Sequence, residues 1–518
     1  MQCRILEPMR RFDRRSFLIV AGAALAAPRL WARPAFAADP FTLGIASGAP
    51  LPDSVVLWTR LAPDPLHGGG LPPAAIEVRW EVARDEGFRE IVRRGRTRAE
   101  PQHAHSVHVE VGGLEPARWY WYRFMAGSAV SAIGRTRTAP PAGAAVSRLR
   151  FAFASCQQYE QGFYAAHRHM AAEDLDLVVF LGDYIYESSW GSRHVRKHEG
   201  PEPYTIEQYR NRYARYKSDA DLQRCHAAFP WLVTWDDHEV DNDYANDRSE
   251  DLDPNFLDRR AAAYQAYWEH MPLRRSAMPS GPHMQLYGRH DFGGLACFHV
   301  LDGRQYRDHQ VCPKPGRGGS NVVDDLNCPA RLESQRTLLG REQEDWLHTG
   351  LSASRARWNI VAQQSLMAQA DRKPGPERQF WTDSWDGYPA ARSRFLQAIV
   401  ERKPANPLVI GGDVHFNCVA DLKVDFDDPR SPVVATEFCG TSITSQGPLQ
   451  ARLDALRPEN PHVRLANSEK RGYVALELTE RHCLAQLRTI DSEKAADSPI
   501  STLAAFVVED GRPGAETA

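Results

Sequence analysis

The chain has 518 residues, 42% of them hydrophobic and 25% charged, with 63 basic against 66 acidic side chains and a formal charge of −3. That length is too great for one ordinary core, and the composition, with 13 Trp, is that of a folded globular protein rather than a disordered one. Beyond the first 37 residues no Lys/Arg cluster suggests a nucleic-acid surface, and no apolar run reaches the ~18 residues that a membrane span requires.

Residues 1–37 read as a segment to be removed. Arg14 and Arg15 directly precede Ser16-Phe17-Leu18 and an apolar run to Ala27, and Ala35-Phe36-Ala37 supplies a small-residue cleavage site ending at Ala37. Paired arginines in this setting resemble a Tat signal, which implies the Tat export machinery as a partner and a periplasmic or secreted mature chain. The segment carries seven Arg and two acidic residues, so that 56 basic and 64 acidic side chains remain, a balance of −8. No Cys follows the cleavage site, so lipid anchoring is not indicated. Of nine cysteines, Cys312 and Cys328 flank a Gly-, Pro- and Asn-rich loop and are the expected disulfide in an oxidising compartment.

Residues 39–140 read as a small all-β domain. Val55–Thr59 is a short β-rich run. Ile76, Val78, Trp80 and Val82 alternate with polar residues, and Val107, Val109 and Val111 repeat that period of two. The stretch Leu114 to Tyr122 resembles the tyrosine corner of fibronectin- and immunoglobulin-like sandwiches. His103, His105 and His108 are expected on a solvated strand face.

After the linker Thr138-Ala-Pro-Pro-Ala-Gly-Ala, continuous apolar runs alternate with helix-like segments. The expected strands are 150–155, 177–181, 231–235, 295–301, 358–362, 408–410, 433–437, 473–478 and 502–508. Helices are expected at 162–173, 259–271 and 341–351. Such strands are buried on both faces, so residues 148–510 are expected to form an α/β (α+β) domain of two sheets flanked by helices.

Four of these strands end in residues able to bind metal. The first ends in Ser155-Cys156-Gln157, the second in Gly182-Asp183-Tyr184-Ile185-Tyr186, with Gly182 permitting a tight turn. The third ends in Asp236-Asp237-His238-Glu239 with Asp241, Asn242 and Asp243 behind it, and the fourth in Gly412-Asp413-Val414-His415. Ligand sites collect at the carboxyl ends of strands in open α/β sheets. Thiol, phenol, carboxylates and imidazole buried together are costly unless cations neutralise them. Imidazole and thiolate ligands favour a transition metal and a phenolate favours Fe3+, whereas the Asp and Asn oxygens suit a harder ion such as Ca2+. Asp183, with two oxygens, is the natural bridge. Two ions ~4 Å apart are the usual device for hydrolysing phosphate esters. No Walker A, G-x-S-x-G or H-E-x-x-H motif is present.

With these motifs, the opening Phe41-Thr-Leu-Gly-Ile-Ala-Ser-Gly48 and Val56-Leu-Trp-Thr-Arg60, the chain resembles the PhoD-type alkaline phosphatases, a branch of the calcineurin-like and purple acid phosphatase superfamily. The resemblance implies a metallophosphatase sandwich, Fe3+ with one or two Ca2+, and an exported phosphoesterase acting on small-molecule phosphate monoesters or diesters. Cys156, Tyr186 and His415 would then bind iron, Asp183 would bridge, and Asp237 and Asp413 would hold the second ion, with Asn242 a further ligand. His238 would contact phosphate or protonate the leaving group. Asp236 is either a ligand or a hydrogen-bond acceptor behind one. Arg304 either binds phosphate or pairs with Asp302. Trp385-Asp386-Gly387-Tyr388 would shape the site wall, and no long C-terminal lid is expected. A monomer without a membrane span is expected. The competing readings are a phospholipase-D-like or nucleotide phosphodiesterase using the same centre, and a non-catalytic secreted binding protein.

Overall fold

A computed structural model describes residue 36 and residues 38–518. The twin arginines and Ala37 lie outside the described residues. Among the described residues no helix is long and apolar enough to cross a membrane.

The fold is mixed α/β. Its largest sheet has ten strands, and at its centre Arg148–Ala154, Leu177–Phe180 and Pro230–Val233 run parallel. A second sheet has seven strands, with Ala296–Val300, Trp358–Ala362, Pro407–Gly411 and Val433–Cys439 parallel in its middle. Alternate side chains of one strand serve two cores, as a period of two requires. Leu177, Val179 and Leu181 join Phe298, Ile360 and Ile410 of the second sheet, so the two sheets share one apolar layer. Val178 and Phe180 face the other way, against Tyr209, Tyr213 and Tyr216 of helix Ile206–Lys217 and Tyr264 and Tyr267 of helix Phe256–His270. The outer face of the second sheet is covered by helices Arg341–Ala353 and Pro389–Arg402, through Leu347, Leu351, Phe395 and Leu396. Strands buried on both faces explain the near-continuous apolar runs.

Residues 39–140 do not lie in two sheets of their own. Five strands, including Ile76–Ala83, Ile91–Ala99 and Trp119–Ala126, form a separate sheet. Ile45–Gly48, Val55–Arg60 and Ser106–Val111 instead extend the ten-stranded sheet, because Ile45–Gly48 pairs in parallel with Pro230–Val233. The Tyr120 hydroxyl accepts the amide N–H of Glu115 at 2.9 Å, which ties its strand to the preceding turn. The Cys312–Cys328 disulfide is present, and the other six cysteines among the described residues are buried thiols.

The histidines differ from expectation. His105 and His108 are buried: His105 Nε2 lies 3.0 Å from the Ala74 carbonyl, and helix Phe256–His270 covers the strand that carries His108. His108 stacks on Trp268 at 4.1 Å, and its Nε2 lies 2.9 Å from the Trp268 carbonyl and 3.0 Å from that of Met271. Burial lowers its pKa from 6.5 to about 4. Unfolded, the ring protonates near 6.5; folded, it stays neutral. Its contribution is therefore present above pH 6.5 and is lost as pH falls towards 4, by roughly 3 kcal/mol at the limit. Thermal midpoints of wild type and His108→Gln measured through a pH series should converge over that interval and hold a constant gap above pH 7. A gap that is constant throughout would refute this assignment.

Candidate metal centre

The carboxyl ends of strands from both sheets meet at one cavity of about 770 Å³. Its lining includes Asp183, Asp237, His238, Asn242, Asp413 and His415. Backbone contacts hold the loops together: the Cys156 amide donates to the Gly182 carbonyl and the Gln157 amide to that of Asp183, both at 3.1 Å, continuing the parallel strand pair beyond its end. Gly182 has φ 109° and a side chain there would strike Asp236, so the turn expected of this glycine is required. Cys156, Asp183, Asp243, Asp413 and His415 all adopt the left-handed conformation, with φ between 53° and 66°. Non-glycine residues rarely sit there, and such backbone strain clusters at functional sites.

Two groups of donor atoms share one residue. Cys156, Asp183 and His415 converge, and Asp183 converges again with Asp237 and His238. The Tyr186 hydroxyl donates to Asp183 Oδ2 at 2.7 Å and lies 3.3 Å from His415 Nε2. His415 Nδ1 donates to the Gln446 carbonyl at 2.9 Å, which leaves the Nε2 lone pair facing the centre. Burial and the charge of Arg471 push the His415 pKa down to about 3, so the imidazole is neutral as a ligand must be. Burial, then the Asp183 charge, holds the Cys156 thiol well above its ordinary pKa. A thiolate there requires a cation.

The acidic side is as crowded. Asp183 Oδ1, Asp236 Oδ2 and Asp413 Oδ2 are buried without a hydrogen-bond partner. Burial first, then the neighbouring carboxylates, raises the pKa of Asp183 and of Asp413 well above the usual range. Native proteins rarely leave such oxygens unsatisfied. The donor set fits cations: sulfur and imidazole gather with Asp183 in one group, beside the Tyr186 phenol, and a second carboxylate and the His238 imidazole in the other.

His238 Nδ1 donates to Glu187 Oε2 at 2.7 Å, and its ring packs on Tyr186 at 4.1 Å. Burial opposes its protonation, but the charges of Glu187, Asp237 and Asp183 outweigh this and hold its pKa well above 6.5. Asn242 lines the cavity, with its side-chain amide donating to Glu250 at 2.8 Å. Asp386 also lines it, while Trp385 is buried behind. The last strands lie at the edge of the ten-stranded sheet, and it is the short helix Gln450–Leu456 that supplies part of the cavity wall, through Arg452, Leu453 and Leu456.

Arg304 corrects an expectation. Its guanidinium is fully buried and pairs with Asp236, with Asp383 at 2.8 Å and with Asp237 at 3.5 Å. It is committed to these carboxylates and is not among the residues that line the cavity. Asp302 accepts its backbone N–H instead, at 2.9 Å. Asp236 faces this guanidinium as a hydrogen-bond acceptor.

Four acidic residues had no assigned role. Asp243 and Asp383 form a group with Asp237. Glu187 fixes His238. Glu239 accepts the amides of Asp183 and Asp236 at 3.0 and 2.9 Å and thereby clamps two strand-end loops together. Glu187 and Glu239 each adjoin a motif residue; Asp383 follows only the two-residue strand Phe380–Trp381, too short to read as a strand in the sequence.

A profile of the family described as PhoD-like phosphatase matches residues 151–487, and one for the N-terminal domain of PhoD-like phosphatases matches residues 25–140. The chain is 48% identical over 529 aligned positions to alkaline phosphatase D of Bacillus subtilis (strain 168), covering 97% of this chain and 88% of that protein. A solved structure titled "Structure of PhoD" superposes with a TM-score of 0.89 at 49% identity, over 94% of this chain and 93% of the other. The chain belongs to the PhoD-like phosphatase family, and it is a phosphoric ester hydrolase.

Proposed function

We propose that this phosphoesterase is exported through the Tat pathway, acts in the periplasm or outside the cell, and depends on Fe3+ and Ca2+. Cys156, Asp183, Tyr186 and His415 would hold iron; Asp183, Asp237, Asp413 and Asn242 would hold calcium. When bound, the ions neutralise charge on the phosphoryl oxygens and lower the pKa of a water. The observation that carries this reading is the membership of Asp183 in both donor groups at the cavity wall.

The chain's own residues then have defined tasks. Glu187 holds one edge of the His238 ring, so the other ring nitrogen is directed into the cavity, where it delivers a proton to the departing alcohol oxygen. Neighbouring carboxylates keep that ring protonated. Arg304 and Glu239 fix the acidic loops. The substrates are small phosphate esters, and the chain acts as a monomer. Residues 39–140 would be an N-terminal domain and residues 148–510 the catalytic metallophosphatase sandwich, a division that the two separately matched segments support.

The test is elemental analysis of protein purified after native export, followed by chelation. Iron with calcium, and loss of p-nitrophenyl phosphate hydrolysis restored by those two ions, is the expected result. Zinc alone in fully active protein would overturn the metal assignment. The rate on bis-p-nitrophenyl phosphate relative to the monoester separates the diesterase reading, which the size of the cavity favours.

A further inference from the structure

The cavity is larger than a phosphoryl group needs: about 770 Å³ lies in the upper part of the range of roughly 300–1,000 Å³ that small-molecule sites occupy. One part of its lining, here called a lobe, differs in chemistry from the acidic centre. In the loop after strand Pro407–Gly411, Asp413 and His415 belong to the acidic centre. Val414 and Phe416 are packed against the apolar core on the lobe side. Leu366, Leu453 and Leu456 complete this apolar wall.

Three arginines, Arg372, Arg452 and Arg457, line the same lobe. Nearby arginines are paired with carboxylates: Arg378 with Asp427 at 2.8 Å, Arg392 with Asp386 at 2.6 Å and Arg464 with Asp421 at 2.5 Å. Among the described residues, none of the three lining arginines has a carboxylate within 4.0 Å; Arg457 donates only to the Arg464 carbonyl. Arg372 is half-buried beside the Trp381 ring, and after burial itself the largest influence on its pKa is the like charge of Arg452. Asp386 and Asp413 act on Arg372 from beyond ion-pair distance, and Asp386 is itself paired with Arg392; arginines left without a direct partner favour an anion.

We propose that this lobe is a subsite for the alcohol side of the substrate, and that it selects phosphate esters whose leaving group carries an apolar segment ending in a second anionic group. The phosphoryl group lies at the acidic centre, the apolar segment runs past Val414 and Phe416, and the second anion meets Arg372 and Arg452. In hydrolysis a water oxygen bonds to phosphorus as the ester P–O bond breaks, the alcohol takes its proton from His238, and the anionic tail departs with the alcohol. The inference rests on the phosphoesterase reading above.

The experiment compares kcat/KM of the metal-loaded enzyme for hexyl phosphate and for 6-phosphooxyhexanoate, which adds one terminal carboxylate. Wild type should prefer the carboxylate by about tenfold, the scale of one charge-assisted contact. In Arg452→Gln and Arg372→Gln that preference should fall to within about twofold. The ratio is taken within each protein, so a general loss of activity cancels. Equal kcat/KM in wild type, or a preference that survives both substitutions, would overturn the subsite alone. Failure to hydrolyse either ester while bis-p-nitrophenyl phosphate is still turned over would overturn the monoester reading on which the subsite rests, and the subsite with it.

Discussion

Asp183→Ala is expected to lower kcat/KM on p-nitrophenyl phosphate by roughly 10³-fold or more, beyond the 10–100-fold typical of residues that only support ligands. It should also leave the protein depleted of both metals together. The reason is geometric: Asp183 alone belongs to both donor groups, and one of its oxygens already takes the Tyr186 hydroxyl while the other has no protein partner. Stability supplies an independent sign. In metal-free protein, burial and the neighbouring charges disfavour the Asp183 carboxylate, so removing that charge with Asp183→Asn should raise the thermal midpoint of the metal-free form. Ions that bind only the folded chain stabilise wild type by mass action. The gain in midpoint on adding iron and calcium should therefore be large in wild type and small in the variant. Retention of full activity, or loss of one metal with the other kept at full occupancy, would sink the bridging role.

Much of this centre was legible because ligand residues sit where strands end. Cys156, Asp183, Asp237 and His415 each follow an apolar run, and a strand buried on both faces leaves that run uninterrupted. The helix Ile206–Lys217 was missed because its buried face is built from Tyr209, Tyr213 and Tyr216 rather than aliphatic residues. A usable signal was present, since Thr205 and Gln208 form a capping box at its start. The joining of residues 39–140 to the large sheet had no signal at all. The pairing of Ser47 and Gly48 with Pro230 and Trp231 spans more of the chain than any local pattern records. Asp383 was invisible for the same reason: its partners Arg304 and Arg307 follow a different strand. Arg304 was visible, but its direction was not.

That direction gives the second prediction with a large effect. If Arg304 bound phosphate, Arg304→Gln would fold normally and raise KM. The geometry requires something else. Its guanidinium is enclosed by Asp236, Asp237 and Asp383, and Asp383 takes further donors from Arg307 and Gln310 at 2.8 and 2.7 Å. Removing one member of a buried charge network leaves the others uncompensated, at a cost of about 3–5 kcal/mol. Arg304→Gln is therefore expected to lower the thermal midpoint and to weaken metal retention and kcat together. Arg304→Lys restores the charge but not the planar fork that meets several carboxylates at once. It should recover part of the midpoint and little of the activity. A variant with wild-type midpoint and metal content whose only defect is a raised KM would return Arg304 to the substrate. Because Asp237 stands at once in this network and in the Asp183 group, the ion pair and the metal centre should fail together.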